Sequence, residues 1–331
     1  MVSATVLQMS ALQDPTLWIA AFAGGAFGAA IGALPAFIFT GFAVIAGEAL
    51  GLAGEEIVDG GSSITASIGF GPVFGPHISF AAGAAAAAYA AKQGYLDDGK
   101  NILWAAGTNH VDVLMVGAVF GLIGHAGTSL LNEIAFPTDN IAMLVFISAL
   151  IHRVAFGYSI IGEVTGSGLF DVGPWERDEE NAPGIWLGHQ YKWGNVAFLG
   201  LIGGILGAFI WQTTGSTVLS FGISAASLLF LHTGTDVPVT HHITLPGSVG
   251  ALGAAAAGYP GSVVLIVGGL FGVFGATMGE VCNRVFYMHG KTHVDPPAFG
   301  ILMSGLLSAV LTAAGVLGGT FWADIPTFLG A

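Results

Sequence analysis

The chain has 331 residues, of which 54% are hydrophobic and only 8% are charged, and its mean hydropathy is +0.79. A soluble domain carries about a quarter charged residues, so lipid must solvate most of this surface. The net charge of −13 gives no support for nucleic-acid binding, and the single Cys282 excludes an intramolecular disulfide and a CxxC metal motif.

Ten apolar stretches of helix-spanning length follow one another along the chain. We expect transmembrane helices at residues 16–33, 36–53, 77–92, 111–131, 140–161, 194–212, 216–232, 242–258, 261–286 and 298–320. Runs of this length favour a helical bundle, because an outer-membrane barrel shows shorter, alternating segments. The first residues lack the basic region of a cleaved signal peptide, so the first stretch is expected to be a retained helix.

The polar segment 162–193 divides the ten stretches into two sets of five that resemble each other. Spans four and nine share the pattern Leu-x-Val-Gly-x-x-Phe-Gly-x-x-Gly, which begins at Leu114 and Leu265. An odd number of crossings per repeat forces the second copy to lie upside down, as in many transporters. We therefore predict an all-α polytopic membrane protein of about ten transmembrane helices, with inverted five-helix repeats at 1–161 and 194–331 joined by a cytoplasmic linker.

Irregular segments precede the short spans three and eight, at residues 62–76 and 233–241. Both are too apolar for ordinary surface loops and too rich in Gly and Pro, or in polar turn residues, for regular helices. The spans that follow are only ~22–25 Å long, less than the ~30 Å hydrocarbon core. We therefore expect re-entrant or broken segments that enter the membrane from opposite sides and are shielded by protein.

A histidine and a hydroxyl residue stand at the start of each short span. Helix N-termini at membrane depth present free N–H groups to a solute. We therefore predict a solute or ion route between the repeats. Its expected residues are His77, Ser79, Asp236, His241, His242, Thr244, His125 and Asp112. The alternative is that the hydroxyl residues only cap helices while the histidines lie at the membrane interface.

The basic residues predict the orientation of the chain. Six of the seven are expected on one side of the membrane, and these are Lys92, Lys100, Arg177, Lys192, Arg284 and Lys291. The positive-inside rule then places both termini outside a plasma membrane. Arg153, inside span five, is expected to face the cytoplasmic water and to pair with a carboxylate such as Glu163. The acidic, lysine-poor loops are typical of proteins from salt-loving organisms.

A transporter or channel that passes a small solute or ion between the repeats is the leading functional interpretation. Its length and five-plus-five plan are similar in outline to those of urea and ammonium channels, a resemblance that implies no substrate and no site residue. The expected partners are the lipid bilayer and a small solute or ion, and homo-oligomerisation is left open.

A redox or metal-binding subunit, or a structural subunit of a larger complex, is the alternative. Metal candidates are His110, Asp112, His241 and His242, and a haem-binding subunit would use His110, His125, His152 and His232. No cofactor and no enzymatic activity are predicted, because no Walker, Rossmann, HExxH or nucleophile-elbow motif stands in a usable context.

Overall fold

A computed structural model describes residues 11–54, 64–104 and 108–324. The first two residues of the expected irregular segment 62–76 lie outside the described residues, as do both chain ends, on which the predicted orientation of the termini depends.

Each predicted span overlaps a helix of at least 14 residues in the described ranges. The helices are α1 (Pro15–Ile31), α2 (Ala33–Leu52), α3 (Ser79–Lys92), α4 (Val111–Glu133), α5 (Asn140–Ala155), the short α6 (Gly173–Glu176), α7 (Trp193–Thr214), α8 (Leu219–His232), α9 (His241–Ala256), α10 (Gly261–Cys282) and α11 (Pro296–Ala313). Two π-helical segments, Thr65–Gly69 and Asn283–Tyr287, precede the approach to α3 and extend α10.

Five helices are long and apolar enough to cross a bilayer, which is consistent with a membrane protein. These are α2, α4, α7, α10 with its π-helical extension, and α11. The apolar helices α1, α5 and α8 have 17, 16 and 14 residues, so they are shorter than the usual span of about 20.

The turn between α1 and α2 is tighter than the sequence suggests. The predicted spans end at residue 33 and resume at residue 36, but Gly32 alone separates the helices and Pro35 lies in the first turn of α2. Proline is tolerated there because the N–H it lacks has no partner inside the helix. Gly32 has φ of +95° and packs against the backbone of Leu103, which favours glycine for both conformational and steric reasons.

Helices α3 and α9 form the centre of the bundle. Nearly every residue of α3 from Ser79 to Ala90 is buried, and so is α9 from His241 to Gly250. Alanine dominates α3, whereas α9 carries Pro246 in its interior. Small side chains allow neighbouring helices to surround both elements closely, where lipid supplies no hydrophobic drive for association.

Glycines bring the surrounding helices into backbone contact in the same way in both halves. A Cβ added to Gly25 of α1 would lie 2.7 Å from the Cα of Gly121 in α4. A Cβ added to Gly204 of α7 would lie 2.8 Å from the Cα of Gly272 in α10. The pairs α1·α4 and α7·α10 therefore both pack glycine against glycine, and they enclose the central helices α3 and α9.

The segment 162–193 packs against one end of the bundle. The backbone N–H of Trp186 donates to Asn283 Oδ1 at 3.0 Å, and Lys100 Nζ donates to the carbonyl of Gly184 at 2.9 Å. Gln190 exchanges two hydrogen bonds with the backbone of Val239. We call this end of the bundle, covered by the segment, the loop side.

The expectation that Arg153 faces water is wrong. This residue is fully buried and donates from Nε to Thr292 Oγ1 at 2.9 Å and from Nη2 to the Thr292 carbonyl at 2.8 Å. A buried guanidinium must satisfy its donors within the protein, and carbonyl oxygens of the loop-side segments serve here in place of Glu163.

We expect Gly204→Ala to destabilise the fold by about 1–3 kcal/mol, because the new methyl group meets backbone that cannot yield without a helix shift. The apparent melting temperature of purified protein in detergent measures this loss. The control is Gly194→Ala on the same helix, where an added Cβ has no neighbour within 4 Å and should be neutral or slightly stabilising. Equal melting temperatures for the two variants would contradict the packing argument.

Candidate functional site

A cavity of about 690 Å³ opens at the end of the bundle opposite the loop side. We call it the wide cavity. Its polar lining consists of Glu48, Thr65, His77, His125, Thr128, Ser129, Asn132, Thr138, Asp139, Asn140, Ser216 and Thr217. These residues come from the ends of α2 and α4, the starts of α5 and α8, and the approach to α3, so both halves of the chain contribute.

Two smaller cavities continue from the wide cavity toward the loop side. The middle cavity, of about 30 Å³, shares Asp139 and Leu245 with the wide cavity. It shares His241 and Asp295 with the loop-side cavity, of about 60 Å³, which reaches Trp186. The three cavities therefore form a row between α2, α3 and α5 of the first half and α8, α9 and α11 of the second.

Aromatic rings form a constriction at the middle cavity. The ring centroid of Phe37 lies 5.7 Å from that of Phe80, 5.7 Å from that of Phe221 and 4.6 Å from that of His241. Phe37 and Phe80 belong to the first half, and Phe221 and His241 to the second. The narrowest part of the row therefore lies where the two halves meet.

Glu48 ties three elements together at the wall of the wide cavity. Its carboxylate accepts from Thr65 Oγ1 at 2.8 Å and from Ser216 Oγ at 2.6 Å. The π-helical segment and the start of α8 are thereby fixed to the end of α2. A carboxylate held in this way gives the wide cavity a fixed negative charge when ionised.

Two aspartates that cap helices lie on either side of the constriction. Asp139 caps α5 by accepting from the N–H of Ala142, and lines the wide and middle cavities. Asp295 caps α11 by accepting from the N–H of Ala298, and lines the middle and loop-side cavities. Burial raises the pKa of Asp139 from 3.8 to about 6, despite hydrogen bonds that favour the carboxylate.

Three of the histidines expected on the route line these cavities. His77 and His125 line the wide cavity, and His241 lines the middle and loop-side cavities. The His125 Nε2 lies 3.2 Å from the carbonyl of Ala11, and its ring meets that of Trp18 edge-on at 5.0 Å. Ser79 is fully buried at the start of α3, where its hydroxyl donates to the Gly75 carbonyl.

The other expected route residues lie away from the described cavities. His242 packs against Gly279 and lies 6.0 Å, between ring centroids, from Trp186. Thr244 bonds to Ser224 Oγ at 3.0 Å, which joins α8 to α9. Asp236 is exposed, 3.6 Å from His189. On α4, Asp112 accepts from Tyr89 Oη at 3.0 Å.

The metal candidates are not gathered into one site. His110 stacks on Tyr95 with a centroid separation of 3.5 Å, far along the chain from His241 and His242, whose ring centroids are 5.8 Å apart. Within the described ranges, no group of three or more His, Cys, Asp or Glu side chains is arranged to hold a metal ion. His152 is one of the histidines considered for haem. Its Nε2 lies 3.0 Å from Thr292 Oγ1, so this nitrogen already has a hydrogen-bond partner within the protein.

Sequence reasoning overlooked the two capping aspartates and the phenylalanines of the constriction. A signal for the aspartates exists, since each stands just before an apolar helix. Each also follows an asparagine, Asn132 or Asn283, that lies eight residues after the last glycine of the pattern shared by spans four and nine. No comparable signal marks Phe37 and Phe221, because the chain contains 23 phenylalanines and most membrane helices contain some.

Comparison with family models matches residues 6–326 to a family of unknown function, DUF7973. The match covers nearly the whole chain, and the protein belongs to this family. No curated protein and no solved structure matches the chain.

We expect the free energy of unfolding of the unmodified protein to fall, relative to that of the Asp139→Asn variant, as the pH rises from about 4 to about 6. The folded protein keeps a proton on Asp139 in this window, whereas the unfolded chain has released it. A two-unit shift corresponds to ~3 kcal/mol, and partial exposure to the cavity reduces that figure. Melting temperature against pH in detergent measures the difference.

Asparagine caps helices about as well as aspartate, so this variant keeps the N-cap and removes the titration. Asp14→Asn, at the N-cap of α1 and outside the cavity linings, reports the effect of losing a capping charge alone. Parallel pH profiles for the protein and for Asp139→Asn would show that this carboxyl does not titrate in the window.

Proposed function

We propose that the protein is an integral membrane transporter or channel that passes a small solute or ion along the row of three cavities between two inverted repeats. The observation that carries the proposal is the row itself. Each cavity shares lining residues with the next, from the wide cavity through the aromatic constriction to Trp186. Transport sites of inverted-repeat proteins lie at the interface of the repeats.

Equivalent contacts on the central helices support an internal repeat. The carbonyl of His77, just before α3, rests against Gly124 of α4. The carbonyl of His242, at the start of α9, rests against Gly275 of α10. Gly124 and Gly275 are the last glycines of the shared sequence pattern, so matched sequence positions make matched contacts.

The direction of equivalent helices supports inversion of the repeats. In the pair formed by α2 and α8, Glu48 contacts Ser216 and Val44 contacts Gly222, while Gly41 contacts Ala225. Residue numbers fall along α2 as they rise along α8, so the helices are antiparallel. If α2 and α8 are the second helices of two copies of one unit, the copies lie in opposite orientations in the membrane, as in inverted-topology repeats.

We propose that all ten long helices cross the plasma membrane. Helices α3 and α9, of 14 and 16 residues, extend only ~21–24 Å, and the non-helical segments before them complete the crossing within the protein. Shielding of this kind is what permits irregular backbone at membrane depth. The loop side carries Lys100 and Arg284 and faces the cytoplasm, so the wide cavity opens outward.

The cytoplasmic end of the row is closed by the segment 162–193. Trp186 lines the loop-side cavity, and its backbone is held by Asn283. On this proposal the segment limits access to the row from the cytoplasm, while the wide cavity faces the outside. A channel would pass solute by local movement at the constriction, and a transporter would close the wide cavity before opening the loop side.

Cysteine labelling tests the orientation. The native Cys282 is fully buried, so an engineered cysteine supplies the signal. We expect a membrane-impermeant thiol reagent applied to intact cells to modify Ser129→Cys, in the wide cavity, and to spare Glu180→Cys until the cells are permeabilised. Ser308→Cys, at a fully buried position, is the unreactive control. The reverse pattern for positions 129 and 180 would overturn the topology.

Solute flux into liposomes tests the route. We expect Phe221→Trp to lower flux at least several-fold, because the larger ring enters a constriction beside a cavity of about 30 Å³. Phe198→Trp on α7 is the control, since this ring is 64% exposed on the outer surface of the bundle and touches none of the cavities. Unchanged flux in Phe221→Trp would place the route elsewhere.

A further inference from the structure

We infer that the middle cavity is a selectivity site for a small monovalent cation, which Asp139, Asp295 and His241 attract from the cavity walls by charge and through water, without forming a single ligand set. This inference rests on the proposed transport function and names the class of solute that the route accepts.

The two aspartates are fixed in position and keep acceptor capacity free. Asp139 Oδ1 accepts from the N–H of Ala142 at 2.9 Å, and Asp295 Oδ2 accepts from the N–H of Ala298 at 2.8 Å. Asp295 Oδ1 lies 3.1 Å from His293 Nε2. Asp139 also accepts from the N–H of Ile141 and from the Trp322 side chain. An ionised carboxylate offers about four acceptor positions, so Asp139 keeps about one of them and Asp295 about two for a solute.

His241 provides an independent indication of a ligand. Its side chain is only 4% exposed, it lines the middle and loop-side cavities, and its Nδ1 has no hydrogen-bond partner among the described residues. A buried polar atom without a partner costs free energy. A cation, or the water that a cation carries, supplies the missing partner, because a neutral imidazole has one nitrogen that accepts.

The walls of the three cavities favour positive charge. Glu48, Asp139 and Asp295 line them, whereas none of the lysines and arginines in the described ranges does. The rings of Phe37 and Phe221 lie at the constriction, and an aromatic ring attracts a cation that approaches its face. An anion would meet these carboxylates with no described Lys or Arg side chain among the three linings to offset them.

The size of the middle cavity selects against a hydrated or divalent ion. A volume of about 30 Å³ holds roughly two water molecules, at ~10–15 Å³ for each water. A cation must therefore shed most of its hydration shell to pass. Divalent ions such as Mg²⁺ lose water reluctantly, so a monovalent cation suits the site.

Uptake by liposomes that contain the full-length protein tests the inference. Rb⁺, methylammonium, chloride and urea are compared as tracers. We expect at least one of the two cations to enter about tenfold faster than chloride and urea, which corresponds to ~1.4 kcal/mol. Asp139→Asn and Asp295→Asn keep the helix caps and are expected to lower uptake of that cation about tenfold, whereas Asp14→Asn matches the unmodified protein.

His241→Leu removes the unpaired nitrogen without adding charge, and it too is expected to lower cation uptake. Size-exclusion profiles and melting temperatures establish that each variant is folded. If urea or chloride enters as fast as both cations, or if the folded variants keep the original cation uptake, the cation inference is wrong while transport stands. If none of the four tracers enters faster than into empty liposomes, the transport proposal itself is wrong.

Discussion

Backbone contact at glycines is the constraint on which this fold depends. Lipid gives apolar helices no hydrophobic reason to associate, so close approach and dispersion contacts must hold the bundle together. Gly25 against Gly121, and Gly204 against Gly272, bring α1 to α4 and α7 to α10 without intervening side chains. These pairs enclose α3 and α9, and thereby set the depth at which the histidines at their N-termini lie.

Two buried arginines hold the segments of the loop side together. Arg153 holds Thr292, and Arg284 pairs with Glu280 at 2.6 Å while donating to the carbonyl of Tyr191 at 3.0 Å. Removing charges from water is costly, and carbonyl and carboxylate partners offset that cost. Arg284, which also donates to the carbonyl of Phe170, ties the segment 162–193 to the end of α10, whereas Arg153 bonds to residues outside that segment.

Patterns of hydropathy and spacing predicted the helices well because they depend only on composition along the chain. The same patterns predicted less well the direction in which an individual side chain points from its helix. His241 lines the cavities and its neighbour His242 does not, since one residue rotates a side chain by about 100° around a helix axis. The sequence matched His242 with His77, and that match describes the equivalent backbone contacts at Gly275 and Gly124.

The sequence marks Asp139 and Asp295 as helix caps, but it does not place them at a cavity. Their position at the constriction depends on how α5 and α11 cross. The expectation for Arg153 failed for a similar reason, because most of its hydrogen bonds go to Thr292 and Phe286, more than a hundred positions away, which local patterns do not connect.

The proline in α9 makes the two halves mechanically unequal. Pro246 has no N–H to donate to the carbonyl four residues earlier, so α9 lacks one backbone hydrogen bond, whereas α3 contains no proline. A helix that lacks such a bond bends at lower energy than an intact one. A bend at Pro246 therefore shifts His241, five residues earlier, at a lower energy than an equal bend in α3 would cost.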